Sequence, residues 1–160
     1  MGLPPSLRDE TQTSTESRLR CLEDREEIRQ LLVNYGRTLD QKDFAGFSKL
    51  FTENAEYGVG GTNVTKGAAA IGRQLEEVMR KNPSGLRSPG FHLFVNELIQ
   101  VKGDEATAVS KGFYVVPNEA NTPFIAMLAT YNDVLIRENG RWKFKRRLVH
   151  GDLPAPPESR

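Results

Sequence analysis

Apolar residues recur at helical spacing through the early part of the chain and at strand spacing through the late part. Ile28, Leu31, Leu32, Tyr35 and Leu39 fall on one stripe and predict a helix over about 16–39. Asp43 stands where an N-cap belongs, ahead of a second helix over 44–51 with Phe44, Phe47, Leu50 and Phe51 facing inward. "NAEYGVGG" reads as a short strand closed by a glycine turn. Ile71, Leu75, Val78 and Met79 predict a third helix over 65–81, which Asn82, Pro83 and Gly85 stop.

The pattern then changes period. Four runs of strand length cover 89–103, 104–117, 122–139 and 140–152, and the Asn139-Gly140 dipeptide between the last two is a strong hairpin signal. Helices followed by a four-strand meander imply an α+β fold, with a curved antiparallel sheet packed on three N-terminal helices. No GxGxxG or GxxxxGK[ST] motif is present, so neither a dinucleotide fold nor a phosphate-cradling loop is expected.

A length of 160 residues suits one domain, expected over 17–152. Residues 1–16 are rich in Ser, Thr, Pro and charge and are expected to form a disordered tail; 153–160, with three prolines, are expected to be extended. A net charge of +1 offers no electrostatic case for nucleic acid or membrane. The basic run "RWKFKRRLVH" alternates Trp142, Phe144 and Leu148 with charge, as a strand with one wet face does. The single cysteine, Cys21, allows neither an intrachain disulfide nor a Cys-based metal site. No run approaches the roughly 20 apolar residues of a membrane span, and 1–20 lacks a signal-peptide core. A cytoplasmic protein is the expectation.

Candidate chemistry centres on Asp40 and His92. Asp40 ends the first helix at the edge of its apolar stripe, where the helix macrodipole disfavours an acid. His92, one of two histidines, lies in the apolar run "GFHLFVNELIQV", with Phe94, Asn96 and Leu98 expected on its strand face. An acid and an imidazole together suit proton transfer in an apolar pocket; apart, His92 is a core histidine bonded to backbone carbonyls. His150 shares its phase with Trp142, Phe144, Arg146 and Leu148, pointing either into the same cavity or to a strand end. The four tyrosines, including Tyr57 and Tyr131, are packing residues or hydroxyl donors to a substrate oxygen. The acids and histidines come singly from distant segments, so no metal and no cofactor are expected.

Four stretches carry a resemblance: "IRQLLVNYGRTLDQKDFAGFSKLFTENAEY", His92-x-x-x-Asn96-x-x-Ile99, "GDEATAVS", and Tyr131-x-Asp133-x followed by "LIRENGRWKF". Over about 22–152 the chain resembles the SnoaL-like branch of the nuclear transport factor 2-like superfamily. The resemblance implies a cone in which curved sheet and helices enclose an apolar pocket, and often a homodimer. That superfamily holds dehydratases, isomerases, cyclases and non-catalytic binders, so fold alone does not select an activity. Asp40 and His92 match the dyad with which scytalone dehydratase and the hexachlorocyclohexane dehydrochlorinase remove a proton from carbon. Arg137 falls near an arginine of the dehydrochlorinase pocket. The second pocket histidine of scytalone dehydratase has no counterpart; that strand offers Ser110, Tyr114 and Asn118.

The resulting expectation is a cofactor-independent lyase or isomerase acting on a small apolar cyclic molecule. His92 would be the base and Asp40 its partner, with Tyr57, Asn96, Arg137, Tyr131 and His150 binding substrate. The alternatives are a non-catalytic binding or dimerisation module, or an accessory subunit of a ring-hydroxylating oxygenase.

Overall fold

A computed structural model describes residues 14–61, 63–81 and 89–154. Helix α1 (Thr15–Asp40) starts where the Ser14 hydroxyl accepts the Ser17 backbone N–H at 3.2 Å. Its stripe of Ile28, Leu31, Leu32, Tyr35 and Leu39 is buried, as the spacing predicts. Helix α2 (Phe44–Ser48) is capped by Asp43, whose Oδ1 accepts the Gly46 N–H at 2.8 Å. It is shorter than expected, because Phe51 opens the first strand. That strand, β1 (Phe51–Val59), hairpins with β2 (Asn63–Lys66), an element whose last two residues the helical reading of 65–81 had absorbed. Helix α3 is Ala68–Lys81; the stop signals at 82–85 and most of both expected tails lie outside the described residues.

The meander follows as β3 (Phe91–Lys102), β4 (Glu105–Pro117), β5 (Pro123–Glu138) and β6 (Arg141–Leu153). Asn139 (φ 53°) and Gly140 (φ 76°) supply the left-handed pair that a tight β5–β6 turn needs. The sheet is open, in the order β2-β1-β6-β5-β4-β3, and α1 packs on it. One expectation fails: β1 pairs with β6 in parallel, so the sheet is mixed rather than antiparallel. The chain reaches β1 from the helices and must enter beside β6 in the same direction.

Two bulges decide which side chains face the helices. In β3 the pairing with β4 slips between Val95 and Leu98, around Asn96 at φ 54°. His92 and Phe94 therefore face inward ahead of the bulge, and Ile99 and Val101 after it. In β6 the register skips Lys145: Leu135 pairs with Phe144 and Val134 with Arg146. Trp142 and Phe144 point inward before the skip, Arg147 and Val149 after it. A one-residue slip exchanges the two faces of a strand.

The space under α1 fills with aromatic rings. Tyr35, Phe47, Phe51, Tyr57, Tyr131 and Phe144 are all at most 4% exposed. Their centroids lie 5.2–6.5 Å from their neighbours in tilted and edge-on pairs. Among the described residues no helix is long and apolar enough to cross a membrane.

Candidate active site

The last residue of α1 meets the second residue of β3. Asp40 Oδ1 lies 2.5 Å from His92 Nδ1, and its Oδ2 accepts the His92 backbone N–H at 3.0 Å. The carboxylate thus holds ring and backbone of one residue and has little freedom to turn. A proton on Nδ1 shared with a carboxylate leaves the Nε2 lone pair as the basic one. The His92 side chain is 8% exposed and that of Asp40 20%, so the pair borders the interior without being sealed from solvent.

Neighbouring residues hold the imidazole in place. Tyr114, cross-strand from His92, stacks on it with ring centroids 4.5 Å apart. Burial raises the Tyr114 hydroxyl pKa, and the Asp40 charge adds to it. On the helix side, Gly36 permits close approach: a Cβ there would stand 2.9 Å from His92 Cβ and 3.1 Å from Phe94 Cε2. Gly112 does the same from β4, where a Cβ would meet Phe94 Cε1 at 3.2 Å. The Phe94 ring is clasped between the two glycines.

Beyond Phe94 lies a second polar group. Arg147 is 0% exposed, and its Nη1 donates to Asp133 Oδ2 at 3.1 Å. The guanidinium carbon sits over Tyr35 at 4.0 Å, Tyr131 at 4.4 Å, Phe144 at 4.5 Å and Phe94 at 5.3 Å. Arg147 Nε and Nη2, Asp133 Oδ1 and Ser110 Oγ are buried without a hydrogen-bond partner among the described residues. Such atoms are costly in a core and need a reason. The Tyr35 and Tyr57 hydroxyls bond each other at 2.9 Å. Burial raises the pKa of both, Tyr57 to about 12, and burial raises Tyr131 as well, so all three phenols stay neutral. Burial also raises the Asp133 carboxyl to about 6, overcoming the opposing pull of Arg147.

An α+β fold with these elements in this order has known relatives. The model of the SnoaL-like domain family matches residues 20–148. The chain belongs to that family. This SnoaL-like domain is similar to an NTF2-like protein with a cystatin-like fold from Novosphingobium aromaticivorans, at 28% identity over 92% of this chain and 94% of that one, with TM-score 0.77. It is similar also to ActVI-ORFA from Streptomyces coelicolor, at 25% identity over 82% and 96% of the two chains, TM-score 0.71. A further neighbour, Rv3472 from Mycobacterium tuberculosis, is described as of unknown function and is 26% identical over 86% and 74%, TM-score 0.71. No curated protein sequence matches the chain.

The SnoaL-like domain sorts the expected site residues into two groups. Asp40 and His92 come together, and Tyr57 and Tyr131 face the interior around Arg147. Three others do not join them. Asn96 is the bulge residue of β3 and is exposed, because the bulge ends the alternation that would have aimed it inward. Arg137 is bound at the far end of α1 by Asp24 and by Asp104 at 3.0 Å, with its guanidinium over Trp142. His150 lies on the outer face, cross-strand from Thr130, beside a cleft of 390 Å³ with Asn132, Arg146 and Leu148. The skip at Lys145 separates His150 from the inward phase of Trp142 and Phe144.

The residue that sequence reasoning missed is Arg147, and with it Asp133. The adjacent Leu148 and Val149 fit either strand phase, so alternation alone could not place Arg147. A usable signal stood on β5, where Tyr131, Asp133 and Leu135 share one face. An acid in an inward phase requires a buried cation, and β6 carries the nearest ones. A groove of 1070 Å³ between α2, α3 and β1 bears Lys49, Arg73 and Glu76 but none of the expected site residues. Among the described residues no three His, Cys, Asp or Glu side chains converge as metal ligands.

Proposed function

We propose that this SnoaL-like domain is a cofactor-independent lyase or isomerase of the dehydratase or cyclase type, acting by proton abstraction on a small cyclic carbonyl compound. One observation carries the reading: Asp40 holds both Nδ1 and the backbone N–H of His92, leaving Nε2 as a fixed base at the border of an apolar interior.

His92 Nε2 takes a proton from carbon next to the carbonyl, and Asp40 stabilises the imidazolium that forms. The electron pair of the broken C–H bond moves onto the carbonyl oxygen. The unpartnered edge of Arg147 receives that charge, with the Phe94 ring turning aside to admit the oxygen. Collapse of the enolate then expels a leaving group, closes a ring, or returns the proton to another carbon. The aromatic walls favour a flat, largely apolar substrate. A second copy of the chain is the proposed partner, docked through the outer sheet face.

The direct test follows deuterium exchange at the α-carbon of cyclic ketones that raise the melting temperature of the protein. Wild type exchanges the proton; His92→Ala and the double variant His92→Ala/Asp40→Asn lose about 10²- to 10⁴-fold. Variants that exchange at the wild-type rate overturn the assignment. Ligands that stabilise the protein without any exchange in wild type favour the binding-module reading.

A further inference from the structure

The interior ion pair is built unlike an ordinary structural one. A buried arginine and carboxylate normally meet through two parallel bonds that satisfy both groups. Here a single bond joins them, from Arg147 Nη1 to Asp133 Oδ2, and each partner keeps an unpartnered buried side: Nε and Nη2 on one, Oδ1 on the other. Among the described residues Asp133 has no other hydrogen-bonding partner, and its side chain is 0% exposed, as is that of Arg147. Among the described residues, the other titratable groups facing the pair are neutral phenols: Tyr35 from α1, Tyr57 from β1 and Tyr131 from β5. On β4, the buried Ala108 stands cross-strand from Asp133 and the buried Ser110 cross-strand from Tyr131.

Resting on the reading that Arg147 accepts the negative charge of the substrate, we propose that Asp133 is the positioning residue of that site and its proton reservoir. When an anionic oxygen occupies Nε and Nη2 of Arg147, Asp133 takes up one proton from solvent on its unpartnered oxygen. The balance is simple. Before binding, the interior holds one cation and one anion; afterwards it holds the guanidinium, the bound anion and a neutral carboxylic acid. Net charge stays at zero, which a sealed low-dielectric interior demands. A second anion beside an ionised Asp133 would leave a net negative charge among aromatic rings. Burial already makes the carboxylate a poor anion, so its proton affinity needs only a modest further push near neutral pH. The same proton leaves when the anion does, so Asp133 matches the charge that Arg147 binds without touching the reacting atoms.

Benzoate is a suitable probe, being aromatic and fully ionised near neutral pH. Calorimetric titration of the whole chain at pH 7, repeated in buffers of different ionisation enthalpy, counts the protons taken up per benzoate bound. Wild type is expected to take up about one, and Asp133→Asn close to none while still binding. The infrared band of a protonated carboxyl should appear in wild type on adding benzoate, a readout that needs no variant to fold. Binding without proton uptake or the carboxyl band overturns the Asp133 proposal and leaves the Arg147 reading intact. Uptake that persists in Asp133→Asn but vanishes in His92→Ala also overturns it, assigning the proton to the dyad. Failure of benzoate to bind overturns both readings, whereas the exchange test on His92 stands independently.

Discussion

Gly36 ties the helix to the dyad at the scale of one atom. Alanine is the better helix former by about 1 kcal/mol, so in open space Gly36→Ala would stabilise α1. Here the new methyl would lie 2.9 Å from His92 Cβ, an atom fixed to the strand backbone that no rotamer change can move. Either β3 retreats from α1 or the helix does, and the 2.5 Å bond between His92 and Asp40 opens in both cases. The expected net cost is about 1–2 kcal/mol of stability. Deuterium exchange should fall by about tenfold or more, since sub-ångström misplacement of a base is felt strongly. Thermal unfolding and the exchange assay measure the two effects side by side. An alanine variant as active as wild type would show that the close approach does not position the base.

At the scale of elements, the bulges in β3 and β6 choose what enters the interior, and they mark where the sequence stopped being legible. Helical stripes and strand lengths were readable, because each depends on residues close in the chain. Asp40 and His92 were readable as a pair through the resemblance, and the fold then brought them together. Asn96, His150 and Arg147 were not, since a bulge depends on pairing between strands and leaves no local period behind it. Nor could Arg137 be placed correctly by nearness to a motif, as Asp24, 113 residues away, claims it. The ion pair between β5 and β6 gives the prediction at this scale. Asp133 is raised to about 6 from an ordinary carboxylate value near 4, so between those values the folded state binds more protons than the unfolded one. Its contribution to stability is therefore present at acid pH and falls as pH rises through that window. Asp133→Asn should remove this slope: the melting temperature of the variant relative to wild type should rise from pH 4 to pH 7. A constant difference across that range would place the Asp133 pKa near its unfolded value. Arg147→Met, by contrast, strands the carboxylate without its cation and should cost about 3–5 kcal/mol at neutral pH.

On the scale of the whole molecule, the helices cover one face of the sheet, and among the described residues nothing covers the other. That outer face exposes Leu93 and Val95 from β3, Val109 from β4, Ile125 from β5 and Leu153 from β6, several of them more than half exposed. In its middle, Lys111 donates to Thr130 at 2.5 Å and to Asp152 at 2.9 Å, and Thr130 donates to Asp152 at 2.7 Å. The polar groups at the centre of the face therefore satisfy one another and ask little of a partner. A face with apolar flanks and an internally neutral centre is compatible with its own copy across a two-fold axis, where like charges would otherwise meet. Exposed apolar side chains gathered on one sheet face favour a partner that covers them. The protein is accordingly expected to run as a homodimer in size-exclusion chromatography with light scattering at micromolar concentration. Val109→Lys combined with Leu93→Lys places cations on both sides of the axis and should yield monomers. Because both side chains point away from the interior, near-ultraviolet circular dichroism should be unchanged, and so should proton uptake on binding benzoate. A wild-type chain that stays monomeric at tens of micromolar would reject self-association through this face, while leaving the dyad and the interior ion pair untouched.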